Sequence, residues 1–171
     1  MYKQIQTERL IIRPINLSDS AFIIKLVNSE GWIRFIGDRN VKNKFDAEKY
    51  IQKILDNEGF FYNVFELKET NQAIGIVTFL NRENQSHPDI GFALLPKFEK
   101  RGYTFEACKR YLGEIISMNK YENVFGITKP DNNKSIRLLT KLGLHHQFDY
   151  NQKDEIISLY SLKKLNEIVR C

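Results

Sequence analysis

The chain switches between two hydrophobic periods, and the switches mark its elements. Arg9 to Arg13 is apolar at Leu10, Ile11 and Ile12 and meets Pro14, which reads as a strand. Ser18 and Asp19 then offer an N-cap for a helix with Phe22, Ile23, Leu26 and Val27 on one face. Trp32 to Asn43 has the pattern of a short helix followed by a loop, with Gly37-Asp38 as the turn signal. Asp46 is expected to cap a second amphipathic helix, with Tyr50, Ile51, Ile54 and Leu55 on its buried stripe. The period then falls to two. Asn63 to Leu67 and Ala73 to Leu80 read as an antiparallel hairpin joined by Glu69-Thr70-Asn71-Gln72.

A polar loop from Asn81 to Pro88 leads into a fourth strand, Ile90 to Leu95, which Pro96 ends. A basic turn, Lys97 to Thr104, opens a helix with Ala107, Tyr111, Leu112, Ile115 and Ile116 on one side. Val124 to Thr128 is a strand, and Pro130-Asp131-Asn132 begins a helix carrying Ile136, Leu139 and Leu142, with Gly143 as its C-terminal cap. Leu144 to Tyr150 and Glu155 to Tyr160 close the pattern around Asn151-Gln152-Lys153-Asp154. The tail from Leu162 to Cys171 reads as an amphipathic helix or an oligomer contact. The order β-α-α-β-β-β-α-β-α-β-β predicts an α/β (α+β) fold. Its sheet is mixed, mostly antiparallel, with six to seven strands and helices on both faces. With no repeat and no linker, residues 1–171 are expected to form a single domain.

Composition changes this picture little. The 171 residues are 42% hydrophobic and 27% charged, ordinary for a soluble domain. No apolar run approaches the roughly 20 residues of a membrane span, and the first residues lack a signal-peptide hydrophobic region. A cytoplasmic location with no membrane partner is the default expectation. Cys108 and Cys171 form no CxxC pair, and His145 and His146 begin a strand, so neither a disulfide framework nor a metal site is expected. The net charge of +5 fits either scattered surface lysine or an anionic partner. No block of like charge forms a basic arm, so nucleic acid is not the expected partner.

The segment from Ile90 to Met118 carries the chemistry. A helix N-terminus presents unpaired N–H groups and a partial positive charge, and a glycine before it lets the backbone approach phosphate oxygens. Lys100, Arg101 and Lys97 add charge there. The run from Phe92 to Ala107 resembles the acetyl-CoA motif of the GNAT superfamily: a strand ending near proline, then Gln/Arg-x-x-Gly-x-Gly/Ala opening a helix. Asn132-Asn133-Lys134-Ser135, followed by Lys141-Leu142-Gly143-Leu144, resembles the family's second signature. Thr7-Glu8-Arg9-Leu10-Ile11-Ile12-Arg13-Pro14 is similar to the opening of the branch containing the ribosomal-protein alanine N-acetyltransferases. Together these motifs span nearly the whole chain.

The resemblance implies an enzyme that binds acetyl-CoA and an amine acceptor; a monomer or homodimer is expected. It implies cofactor binding by Phe92, Ala93 and Leu94 along the pantetheine arm. It places the pyrophosphate on the N–H groups of Lys100, Arg101, Gly102, Tyr103 and Thr104, with Glu99 beside that site among the cofactor residues and a further contact from Asn132. Trp32 and Phe35 fall in the segment that lines the family's acceptor pocket, although each reads slightly better as core than as a substrate contact. Glu99 replaces the usual Gln or Arg, Thr104 the usual Gly or Ala, and Leu144 the usual Phe. The Glu/Tyr acid–base pair of one related branch is missing, because Ile127 and Leu139 occupy those positions. Asp89 is the candidate general base, with Glu83 as a lesser one, or else a strand-entry aspartate. Ser135 is the candidate acid, or else a helix cap. The competing function is a GNAT-fold acyl-CoA-binding or regulatory protein with little transferase activity.

Overall fold

A computed structural model of the chain describes residues 4–83, 85–152 and 154–163. Eight strands form one sheet: β1 (Ile5–Gln6), β2 (Leu10–Pro14), β3 (Phe60–Leu67), β4 (Ala73–Leu80), β5 (Asp89–Leu94), β6 (Phe125–Thr128), β7 (His145–Gln152) and β8 (Glu155–Ser161). Five helices accompany them: α1 (Ser20–Val27), α2 (Glu30–Phe35), α3 (Lys44–Leu55), α4 (Tyr103–Ser117) and α5 (Asn133–Lys141). The sheet order is β1-β2-β3-β4-β5-β6-β8-β7. Every neighbouring pair is antiparallel except β5 and β6. The strand beyond the expected seven is β1, two residues long and therefore too short to show a period. From Leu162 onward, the expected tail helix lies outside the described residues beyond Lys163.

Helix starts differ from the sequence pattern for a chemical reason. Asn16, not Ser18 or Asp19, caps the first helical turn, accepting from the Ser18 N–H, while Asp19 reaches back to the Asn16 N–H at 2.9 Å. Likewise Asn43 caps α3 by accepting from the Asp46 N–H, so Asp46 lies inside the first turn rather than before it. The Asp19 carboxylate is buried because Arg13 grips it with two N–H groups, at 2.9 and 2.8 Å, and Arg13 also holds Glu66 at 3.0 Å.

Helices α1 and α3 pack on β3 and β4 from one face, whereas α4 packs on β2, β4 and β5 from the other. Helix α3 buries Ala47, Ile51 and Ile54, and its last residue, Leu55, turns 39% exposed off the stripe. Helix α4 buries Ala107, Cys108, Tyr111, Leu112 and Ile115 but leaves Ile116 at 56% exposure, on the flank expected to be covered. Each large apolar side chain so buried contributes about 1.5–3 kcal/mol. Cys108 packs in that core, where burial pushes its thiol far above the ordinary range. His145 and His146 are both exposed on the outermost strand. Among the described residues, no helix is long and apolar enough to cross a membrane.

One irregularity positions the site. Strands β5 and β6 share a single register pair, Asp89 with Phe125, where the Phe125 N–H donates to the Pro88 carbonyl at 2.9 Å. Beyond that pair they part, and the side chains of β5 pass from buried at Asp89 and Ile90 to half-buried from Gly91 to Leu94.

Candidate active site

The parted strands leave a specific set of backbone groups unpaired. The Leu95 N–H donates to the Ile74 carbonyl at 2.9 Å, and the β4–β5 register continues without a shift from Gly75–Leu94 to Leu80–Asp89. Antiparallel ladders alternate, so Ala93 and Gly91 spend both backbone groups on β4. Phe92 and Leu94 therefore aim their N–H and C=O groups into the gap left by β6. That edge can take one more extended segment by main-chain hydrogen bonding. Ala93, expected along the same arm, borders the gap through its side of the strand rather than through its amide.

Beyond β5, Pro96 to Phe98 form one 3-10 turn, and the chain passes through Lys100 at φ 63° and Gly102 at φ 79° into α4. Both lie in the left-handed region, which glycine enters without steric cost. No side chain caps the start of α4, and the first amide bonded back to Gly102 is that of Glu106, at 3.0 Å. The N–H groups of Tyr103, Thr104 and Phe105 thus remain open at the positive end of a helix of 15 residues. In α5, by contrast, Asn132 caps the Ser135 N–H at 3.2 Å.

The N-terminal segment explains why this turn holds its shape. The Thr7 hydroxyl donates to Glu106 at 2.6 Å, and Glu106 also accepts the Arg9 backbone N–H at 3.0 Å and the Arg9 Nε–H at 2.7 Å. Arg9 further donates to the Arg101 carbonyl at 3.1 Å and lies 4.5 Å from the centre of the Tyr103 ring. Burial pushes the Glu106 carboxyl up, but the bonds from Thr7 and Arg9 outweigh it and hold the group below its usual range. The first turn of α4 is thereby tied to the edge of the sheet.

A notch of about 370 Å³ opens where β5, the turn and α5 meet, lined by Leu94, Lys100, Gly102, Tyr103, Thr104, Lys134, Arg137 and Lys141, among others. Four of these are cations. Three sit on α5 at positions 134, 137 and 141, one helical face, a cationic spacing visible in the sequence itself. Arg137 was not singled out by the motifs at all. Glu99 is answered by the structure: Lys134 Nζ donates to it at 2.6 Å, so the carboxylate does not face the notch unpaired. A larger hollow of about 520 Å³ lies on the outer side of α4 beside Thr7, Arg9 and Gly113, away from the open β5 edge.

The remaining candidates are not among the residues that line the notch. Asp89 is 4% exposed and accepts the Arg82 Nε–H at 2.6 Å. Burial raises its carboxyl above the ordinary value against the pull of Arg82. Tyr62, Thr78 and Gly91 stand side by side across three strands. A Cβ on Gly91 would lie 2.6 Å from the Thr78 hydroxyl oxygen, so glycine keeps the face open beside the parted strands. Sequence reasoning missed Arg82, whose side chain reaches Asp89 only through the fold. Glu83 is exposed on the loop. Trp32 is 4% exposed and belongs to the core, whereas Phe35 is half-buried under the Arg34 guanidinium. Ser135 is half-buried in the first turn of α5, and the capping oxygen there comes from Asn132. Among the described residues, no three His, Cys, Asp or Glu side chains gather where a metal ion could be held.

The residues present fit a polyphosphate joined to an extended arm: cations and open amides for the first, an unpaired strand edge for the second. Comparison with known proteins agrees. The chain is 23% identical over 152 residues to the uncharacterized N-acetyltransferase YoaA of Bacillus subtilis (strain 168), covering 86% of this chain and 85% of that protein. Its fold is similar to that of a GNAT-family acetyltransferase from Bacillus anthracis, with TM-score 0.79 and 20% identity, covering 93% of this chain and 97% of that one. It is also similar to ribosomal-protein-S5-alanine acetyltransferase from Vibrio fischeri, with TM-score 0.73 and 17% identity, covering 97% and 98% of the two chains. The model of the acetyltransferase (GNAT) domain matches residues 9–145, and the chain belongs to this family of acetyl-CoA-dependent N-acetyltransferases.

Proposed function

We propose that the protein moves an acetyl group from acetyl-CoA to a primary amine, on a protein N-terminus or a small molecule, by direct attack in a ternary complex. The observation that carries this is the continuity of the open β5 edge with the uncapped, cation-ringed start of α4. Phosphates are held by the amides from Lys100 to Phe105 and by Lys100, Lys134, Arg137 and Lys141, with Asn132 beside them. The pantetheine arm pairs with Phe92 and Leu94. Acetyl-CoA supplies the thioester, and the Phe92 N–H is the donor available to negative charge developing on its carbonyl oxygen.

An amine attacks only when neutral, and free amines lose their proton near pH 8 for an α-amine or about 10 for lysine. Asp89, beside the narrow end of the gap, takes that proton directly or through a water. Its raised affinity for a proton, which comes from burial, suits it to this task better than an ordinary aspartate. The Ser135 hydroxyl, not consumed by the α5 cap, is the candidate donor to the departing thiolate. Proximity of the two bound reactants supplies much of the remaining acceleration. The test is thiol release from acetyl-CoA across a panel of peptides and small amines. Turnover with any member supports transfer; tight acetyl-CoA binding with no turnover across the panel favours a binding or regulatory role instead.

A further inference from the structure

The phosphate-binding turn contains a peptide unit that its own backbone does not hold. Gly102 stands at φ 79°, and glycine takes either sign of φ at little steric cost. On backbone grounds, the unit joining Arg101 to Gly102 is therefore free to turn over and present its carbonyl where its N–H now points. A trans peptide is planar and carries the two groups on opposite sides. Whatever fixes the Arg101 carbonyl also aims the Gly102 N–H.

That partner is Arg9. Its Nη1 donates to the Arg101 carbonyl at 3.1 Å, and among the described residues no other donor reaches that oxygen. The guanidinium is itself fixed. Its Nε–H donates to Glu106 at 2.7 Å, Nη2 lies 2.6 Å from the same carboxylate oxygen, and the group sits 4.5 Å from the centre of the Tyr103 ring. The backbone that carries it is pinned as well, by the Arg9 N–H to Glu106 and by the Lys68 N–H to the Arg9 carbonyl, both at 3.0 Å. Arg9 lines the hollow outside α4 and is not among the residues that line the notch, whereas Gly102 borders both. Holding the carbonyl on the Arg9 side turns the Gly102 N–H toward the notch.

Building on the cofactor binding that the transferase reading requires, we propose that Arg9 is a positioning residue, which acts from behind the turn to keep the Gly102 N–H aimed at the diphosphate. The role needs the planar fork, because one head group must hold Glu106 and the Arg101 carbonyl together. A lysine ammonium keeps the charge without that geometry. The aimed N–H serves a charged acceptor, so its loss is expected to weaken binding about tenfold or more.

The test titrates CoA calorimetrically into the full native chain, Arg9→Met and Arg9→Lys, at low salt and at about 1 M salt, where the Debye length is about 3 Å. Both variants are expected to bind about tenfold more weakly or worse than the native chain at either salt. The Gly102 amide resonance is expected to move downfield when CoA saturates the native chain and to stay near its free position in both variants. Thermal melts are expected to show all three chains folded, since the Arg9 side chain is 44% exposed and the backbone bonds to Glu106 and Lys68 remain. Native-like affinity in Arg9→Met, or a Gly102 resonance that still moves in it, overturns the proposal. So does rescue by Arg9→Lys or a loss that vanishes at high salt, because Arg9 would then act by its charge. A chain that unfolds without the Arg9 side chain also overturns it, because the role would then be structural. Failure of the native chain to bind CoA would instead strike at the transferase assignment.

Discussion

Removing a carboxylate from the rim of a phosphate site should tighten that site, and Glu99 provides the case. Its side chain is bound to Lys134 at 2.6 Å, and the two side chains are 35% and 69% exposed. The pair is thus near neutral and largely solvated, and the first effect of Glu99→Gln is to release one positive charge toward the notch. At a separation of roughly 6 Å and an effective dielectric constant between about 40 and 80, one unit charge acting on one phosphate charge is worth about 1 kcal/mol. That corresponds to about fivefold in Kd for acetyl-CoA. The gain should shrink in high salt, because the Debye length falls to about 3 Å at 1 M. Fold stability should change little, since exposed ion pairs contribute about 1 kcal/mol or less. Calorimetric titration of acetyl-CoA at low and high salt measures both effects. Unchanged or weaker binding by Glu99→Gln at low salt would refute the reasoning, because Glu99 would then be aiming Lys134 at the phosphates rather than masking it.

Three other substitutions probe separate parts of the molecule. Asp89→Asn should lower kcat by about 100-fold or more, and unchanged turnover would remove Asp89 from the mechanism. In the native enzyme the acid limb of the kcat profile should lie above the ordinary aspartate value of 3.8, because burial raises the Asp89 carboxyl. The same shift means that the folded state holds this proton more firmly than the unfolded chain does. Stability from this group accordingly falls as pH rises from the ordinary value through the raised one, which thermal melts of the native protein and Asp89→Asn across that window would detect. Gly102→Ala should cost about 1–2 kcal/mol in a denaturant melt through its left-handed backbone alone, since the added Cβ would find Arg9 Nη2 no closer than 3.6 Å, and should weaken acetyl-CoA binding measured by calorimetry. Arg13→Met should cost about 3–5 kcal/mol in urea denaturation, because it strands Asp19 at 4% exposure; a loss under about 1 kcal/mol would contradict the ion-pair assignment.

Much of the fold was legible because its elements repeat a period: α4 and the β3–β4 hairpin announce themselves in the spacing of Tyr111, Leu112 and Ile115 and of Ile74 to Leu80. The turn at Gly102 was legible for a different reason: a glycine among cations before a helix is commonly just a turn, and the resemblance of the run from Phe92 to Ala107 to the family's motif is what marked it. What stayed hidden depends on distance along the chain. Lys134 meets Glu99 across 35 residues, and Glu106 meets Thr7 across 99. The gap between β5 and β6 is likewise invisible in either strand, because each reads as an ordinary apolar run. Arg82 is a loop cation that only the fold brings onto Asp89, and the caps fall to Asn16 and Asn43 although the nearby aspartates look equally able in the sequence. The N-terminal motif at Thr7 and Arg9 was recognisable as a pattern, but its physical role in fixing the first turn of α4 emerged only from the contacts.

Hydrogen exchange resolved at single amides tests the site most directly. Without cofactor, the Ala93 amide, bonded to β4, should be protected, whereas those of Phe92 and Leu94 should exchange fast. Saturating acetyl-CoA should protect Phe92 and Leu94 together with Gly102 to Phe105 and leave Ala93 as it was. If acetyl-CoA binds while Phe92 and Leu94 continue to exchange as before, the thioester arm does not lie in the gap between β5 and β6.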